Sequence, residues 1–181
     1  DTYNKNSEKN DQIYSDALSA LRGFALSKLS SSMVFSAGFN RRLYAYIEKF
    51  LDFYPNEKGN IKKKIILKVS DYRSSLIQGK FLAKKGIWVS EYRIESGLNC
   101  GGHAFATDGH LLGPILDEFK SNKSDLVSSL LVTCNAALKS SNRNIFSYVP
   151  TRPCCQFISS NFFWQSWSPR DGYNYYYYYG H

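Results

Sequence analysis

The residues best suited to chemistry lie in one short segment, "GLNCGGHAF", at positions 97–105. A neutral imidazole such as that of His103 can take or give a proton near neutral pH. Gly101 and Gly102 carry no Cβ, so their backbone N–H groups can approach a ligand closely. Between a strand and a helix, such a loop can bind a phosphate or the flat edge of a cofactor. We therefore take His103 as a candidate catalytic base, with a hydrogen-bonded structural histidine as the alternative.

Other reactive side chains lie close to this histidine in the sequence. Cys100 could act as a nucleophile, but no histidine or carboxylate partner is indicated for it, and a small buried cysteine is the simpler interpretation. A metal site can be drawn through Cys100, His103, Asp108 and His110. Its spacing matches no tetrahedral metal signature, so we predict no metal.

The segment before the loop, "IWVSEYRIES" at 87–96, alternates as a β-strand does. Side chains of neighbouring strand residues point to opposite faces, so Tyr92 faces away from Arg93 and Glu95. The face with Arg93 and Glu95 is then the polar one. It is either a solvent-facing ion pair or the polar lining of a pocket, which makes Glu95 a candidate binding residue.

The rest of the chain alternates helices and strands. The patterns predict a helix over 11–29, a strand over 33–39, a helix over 40–55, a strand over 63–70, a helix over 71–86, a strand over 87–96, and helices over 109–120 and 124–140. Asn40 and Asp71 stand where N-caps belong, and Gly86 where a helix ends. We also expect the first helix to end at the serines of 30–32.

This order predicts the fold class. Strands that alternate with helices form right-handed βαβ units, and these build a parallel sheet with flanking helices. Ligands bind at the carboxyl ends of such strands, where this chain places small or polar residues at 36–38, 69–71 and 95–97. Ser70 is therefore a candidate binding residue. A complete (β/α)8 barrel needs about 250 residues, so at 181 residues the chain would form only part of one.

The alternation stops beyond residue 140. The last stretch shows neither a helical nor an alternating period and ends in a tyrosine tract. We expect a disordered lead-in at 1–10, a partial α/β barrel domain at 11–140 and an irregular, aromatic-rich tail at 141–181. A frameshift or a divergent end is our hypothesis for the tail.

Composition limits the partners. The net charge is +8, but the cations are scattered apart from the run at 62–64, so nucleic acid is not favoured as a partner. No apolar run could span a membrane, and no leader is recognised. The four cysteines match neither a metal knuckle nor a disulfide scaffold, which favours reduced thiols and a cytoplasmic location. A small-molecule substrate is the expected partner.

One stretch, "KKIILKVSDYRSSLIQGKFLAKKGIWVSEYRIESGLNCGGHAF" at 63–105, resembles the central part of the nitronate monooxygenase (2-nitropropane dioxygenase) family of FMN-dependent TIM barrels. The resemblance extends over about residues 33–120. Its most specific element is Gly-Gly-His after a strand, and Cys100 stands where the family has alanine. The amino-acid sequence around this loop also resembles that of a group of much longer bacterial proteins. This resemblance implies that the chain is a fragment.

The resemblance implies a cofactor and a mechanism. FMN would be bound, and His103 would take a proton from a small carbon acid. Gly101 and Gly102 would approach the flavin, and the strand end from Lys68 to Ser70 would lie under its ring. The family's phosphate-binding segments would fall in the tail, where "WQSWSPRDG" stands at 164–172.

Two alternatives remain open. The chain could be a non-enzymatic basic α/β domain that binds an anionic partner, with the loop making only a tight turn. It could also be an aldolase-like enzyme for a phosphate ligand on the same barrel, because one fold hosts many chemistries.

Overall fold

The computed structural model describes residues 3, 5–8, 11–36, 38–94, 112–149, 154–159 and 162–163. Its helices are α1 (Asp16–Leu26), α2 (Arg41–Ile47), α3 (Tyr72–Ala83) and α4 (Leu112–Ser140), with short 3-10 turns at Gln12–Tyr14 and Leu51–Phe53. Its strands are β1 (Ser31–Phe35), β2 (Lys63–Val69), β3 (Val89–Ile94), β4 (Cys154–Ser159) and β5 (Phe162–Phe163).

The strands form one sheet in the order β1-β2-β3-β4-β5. β1, β2 and β3 pair in parallel, β4 adds a parallel partner to β3, and β5 runs antiparallel to β4. The register between β2 and β3 shifts at Ile65/Ile66. The predicted α/β class, a parallel sheet flanked by helices, is confirmed.

β2 is buried on both sides, as a central parallel strand should be. On one face Ile65 and Leu67 are fully buried, and Val69 is only 1% exposed. On the other face Lys64 and Lys68 are half-buried on either side of the buried Ile66. The chain therefore builds an apolar face and a mixed polar face on the same strand.

The helices pack against the apolar face. Phe35 of β1 meets Tyr44 of α2 with ring centroids 5.6 Å apart. Gly79 of α3 lies against Tyr92 of β3 and Leu130 of α4. When strand order follows chain order, right-handed crossovers place all connecting helices on one side. The opposite face is left for the polar side chains.

The predicted helix signals at α2 and α3 are confirmed. Asn40 Oδ1 accepts the N–H of Leu43 at 2.9 Å, and Asp71 Oδ1 accepts the N–H of Ser74 at 2.6 Å. Gly86 has a φ of +72° and donates to the Ala83 carbonyl, as in a Schellman motif.

Two boundaries near the amino end differ from prediction. α1 ends at Leu26, since Ser27 adopts extended backbone with φ −68° and ψ 156°, and its Oγ donates to the Phe24 carbonyl at 2.7 Å. The following serines do not end a helix. Ser31 and Ser32 belong to β1, where the Ser31 N–H donates to the Lys62 carbonyl at 3.2 Å.

α2 is also shorter than predicted, since it ends at Ile47 rather than near residue 55. Phe50 adopts extended backbone with φ −118° and ψ 118°. This break turns Phe53 into the core, where it is 1% exposed and its ring centroid lies 6.2 Å from that of Phe24. Burial of that ring outweighs continuation of the helix.

α4 is one helix of 29 residues, so the prediction of two helices separated near 121–123 was wrong. The polar triplet contains neither glycine nor proline, and Asn122 Nδ2 donates to the Glu118 carbonyl at 2.8 Å. The buried stripe continues through it from Phe119 to Leu126 and Leu130. Shared burial on one face carries the helix across residues that favour a loop.

The strand β4 lies in the stretch beyond residue 140, where the sequence shows no alternating period. The backbone of β4 pairs with β3, with Glu91 opposite Cys154 and Ile94 opposite Phe157. A strand edge presents backbone N–H and C=O groups that any extended segment can satisfy, whatever its side-chain pattern. The division into domains and the frameshift hypothesis stay predictions.

Candidate functional site

The carboxyl ends of the first three strands lie along one edge of the sheet. Phe35 pairs with Leu67, and Val69 pairs with Ile94, so β1, β2 and β3 end at the same edge of the sheet. Ser36 follows β1 and Ser70 follows β2. The predicted parallel neighbours are confirmed, and with them the common edge on which a ligand site would be built.

The structure describes part of the predicted site. Lys68 and Ser70 lie at the carboxyl end of β2. Glu95, Gly101, Gly102 and His103 lie outside the described residues, and their roles stay predictions. The same holds for Cys100, Asp108 and His110.

The polar face near this edge carries charged side chains on adjacent strands. Lys68 of β2 is in register with Arg93 of β3. Arg93 Nε donates to Glu91 Oε1 at 2.6 Å, with the Arg93 and Glu91 side chains 26% and 18% exposed. Tyr92 is 1% exposed on the opposite face, so the predicted alternation is confirmed.

Sequence reasoning missed Glu91. We expected Glu95 to share the polar face with Arg93. Residue 91 lies two positions before Arg93, so strand alternation places it on the same face. The same alternation that selected Glu95 could have found it. The described part of the polar face thus carries Lys64, Lys68 and Arg93 with one carboxylate, an arrangement that attracts a ligand with negative charge.

A hydrogen-bonded chain leads away from Ser70 into the core. Ser70 Oγ donates to Asp71 Oδ2 at 2.7 Å, while Asp71 Oδ1 caps α3 through Ser74. Ser74 Oγ accepts from Gln78 Nε2 at 2.8 Å, and Gln78 Oε1 accepts from Tyr44 Oη at 2.5 Å. Burial raises the pKa of Tyr44 to about 12, so its hydroxyl remains a donor.

This chain could be found only in part from the sequence. Asp71, directly before the helical pattern, identifies the cap. The contact of Tyr44 with Gln78 joins α2 to α3 and depends on how the two helices pack. It fixes the first turn of α3, and through Asp71 it fixes the Ser70 hydroxyl.

Cys134 is a free thiol buried within α4. Burial raises its pKa to about 12, which keeps it protonated and unreactive near neutral pH. It is therefore a core residue. Among the described residues, no group of three or more metal-binding side chains comes together.

Comparisons with protein-family models, with curated proteins and with solved structures found no match for the chain. In the part of the chain that the structure describes, no helix combines the length and the apolar character needed to cross a membrane.

Proposed function

We propose that the chain is part of an FMN-dependent oxidoreductase of the nitronate monooxygenase type, built on a partial (β/α)8 barrel and acting on a small carbon acid. One observation carries the proposal. β1, β2 and β3 are parallel neighbours in chain order, with their helices on one face. Strands of a (β/α)8 barrel are also parallel neighbours in chain order, with the face away from the helices lining the interior and the carboxyl edge holding the ligand.

Two cations among the described residues support a flavin site. Reduction of a flavin places negative charge near its N1 edge, and cationic groups there stabilise it. Lys68 and Arg93 are cations one strand apart near the carboxyl edge, and both are half-buried. When bound, FMN would supply the electron acceptor.

The chain's own residues would bind the flavin and move the substrate's proton. Lys68 and Ser70 would hold the ring from β2, with Glu95 as a further polar group. Gly101 and Gly102 would allow close approach of the backbone. His103, on the loop that leaves β3, would take the proton from the substrate carbon.

The test is flavin binding by the purified protein, followed by kinetics. We expect a flavin absorbance spectrum, or uptake of FMN on titration. His103→Ala should retain flavin and slow substrate deprotonation by about 100- to 10,000-fold. Ser32→Ala, at the amino end of β1, is the matched control and should leave both flavin binding and the rate of substrate deprotonation unchanged. Absence of flavin uptake would contradict the cofactor, and unchanged turnover in His103→Ala would contradict the base.

The same preparation tests the alternatives. The alternative of a non-enzymatic domain that binds an anionic partner depends on the net charge of +8. Such a domain would bind polyanions, and this binding would weaken steeply with salt. An aldolase-like enzyme would bind phosphate ligands without flavin.

A further inference from the structure

The hydroxyl of Ser70 has a fixed hydrogen-bond polarity. A serine hydroxyl has one proton to donate and two lone pairs that accept. The proton of Ser70 is committed to Asp71 Oδ2 at 2.7 Å, because an ionised carboxylate only accepts. Any further partner of Ser70 Oγ must therefore be a donor.

Asp71 cannot easily turn away from this arrangement. Its other oxygen accepts the Ser74 N–H at 2.6 Å and caps α3. Charge-assisted bonds of this kind are about twice as strong as neutral ones. The Gln78 and Tyr44 hydrogen bonds then hold the first turn of α3 against α2.

Ser70 is also placed where a ligand would meet it. It follows Val69 directly at the carboxyl end of β2 and is half-buried. Lys68, a half-buried cation, lies two positions earlier on the same strand. The acceptor and the cation therefore share the carboxyl end of β2, where the flavin is proposed to bind.

We propose that Ser70 Oγ accepts a hydrogen bond from the N3–H of the bound flavin and that Asp71 is the positioning residue that makes Ser70 an acceptor. This inference rests on the proposed function. Oxidised isoalloxazine has a single ring N–H, at N3, between two carbonyl groups. An acceptor and a cation at one strand end complement the N3–H donor and a neighbouring carbonyl group, so Ser70 and Lys68 would together recognise that edge of the ring.

The experiment compares the dissociation constants of FMN and of N3-methyl FMN. For the wild-type protein we expect FMN to bind about threefold to tenfold more tightly, the range of one neutral hydrogen bond. Ser70→Ala should weaken the binding of FMN by a similar factor, and this variant should bind FMN and N3-methyl FMN almost equally. Ser32→Ala should retain the wild-type ratio.

Asp71→Asn changes the hydrogen-bond polarity of Ser70 without changing the size of its side chain. The asparagine oxygen can still cap α3, but its amide donates to Ser70 and turns the serine proton outward. Ser70 keeps its size, so a purely steric effect of the methyl group would leave the ratio unchanged. We expect the ratio to fall toward that of Ser70→Ala. If Asp71→Asn does not fold, the Ser70→Ala comparison decides.

The outcomes separate the two proposals. A wild-type protein that binds neither flavin overturns the proposed function, and this inference falls with it. A wild-type protein that binds FMN, with a ratio that neither Ser70→Ala nor Asp71→Asn changes, overturns this inference alone.

Discussion

Single residues carry constraints that their types alone do not suggest. Lys63 is fully buried at the start of β2. Its Nζ donates to the Ser27 carbonyl at 2.9 Å and to Ser27 Oγ at 2.7 Å, and lies 4.5 Å from the Phe24 ring centroid. The ammonium thus meets the carboxyl end of α1, where the helix dipole favours a cation. This residue of the basic run at 62–64 thus joins α1 to the sheet.

Gly79 provides the sharpest test at this scale. A Cβ at residue 79 would clash with Tyr92 Oη and lie 2.9 Å from Leu130 Cδ1. We expect Gly79→Ala to lower the free energy of unfolding by about 1–3 kcal/mol, the usual cost of overpacking. Chemical denaturation measures the change.

Gly23→Ala is the matched control in α1. Apart from its chain neighbours and the backbone of α1, no atom lies within 4 Å of the added Cβ, so better helix propensity should stabilise the protein by about 0.5–1 kcal/mol. Equal effects of the two substitutions would contradict the packing of α3 against β3 and α4.

At the scale of elements, capping and shared burial decide where helices end. α3 ends in a Schellman motif, with the Ile87 N–H donating to the Leu82 carbonyl at 3.1 Å. α4 ends in the same way with Asn142, whose φ is 52° and whose N–H donates to the Lys139 carbonyl. Within α4, by contrast, the polar triplet at 121–123 interrupts nothing.

The continuity of α4 is tested by proline at its centre. Asn122→Pro removes a backbone donor and clashes with the preceding turn, so we expect a loss of about 3 kcal/mol in the free energy of unfolding. Asn122→Ala, which keeps the backbone donor, should change stability by less than about 1 kcal/mol. If proline is tolerated as well as alanine, residues 112–140 are two helices.

At the scale of the whole molecule, the sheet extends past the point where sequence patterns stop. β4 places Gln156 opposite Arg93 in a parallel ladder. The proposed barrel depends on such strands being added in chain order. The tail therefore has a place in the sheet over 154–159.

Proline at position 156 tests that placement. Gln156→Pro fixes the backbone and removes an N–H from the ladder, so we expect a thermal midpoint several degrees lower than that of Gln156→Ala. Two variants with the same midpoint would show that 154–159 contributes no strand.

Alkaline pH tests the core as a whole. Burial raises the pKa of Cys134 from 9.0 to about 12 and that of Tyr44 from 10.0 to about 12. The folded state therefore holds these protons more tightly than the unfolded state. These two groups add no pH dependence well below pH 9, and their contribution to stability should fall as pH rises from 9 to 12, by up to about 1.4 kcal/mol per pH unit for each group.

Variants identify each contribution. Cys134→Ala should remove the part of the fall that begins near pH 9, and Tyr44→Phe the part that begins near pH 10. Denaturation curves across this pH range make the measurement. A slope that neither substitution changes would contradict the burial of these groups.

The sequence by itself determined the α/β class, the order of the first three strands, the caps Asn40 and Asp71, and the end of α3 at Gly86. These features depend on local chemistry: side-chain period, capping groups and glycine at positive φ act over a few residues. The alternation in β3 also assigned Tyr92 and Arg93 to opposite faces correctly.

Tertiary structure decided the rest. The continuity of α4, the early end of α2 and the pairing of β4 depend on which distant surfaces meet. Burial of Phe53 and a shared apolar stripe outweighed local preference, because burying apolar surface contributes more than propensity does. The hydrogen-bonded chain from Tyr44 to Ser70 joins two helices and exists only once both pack on the sheet.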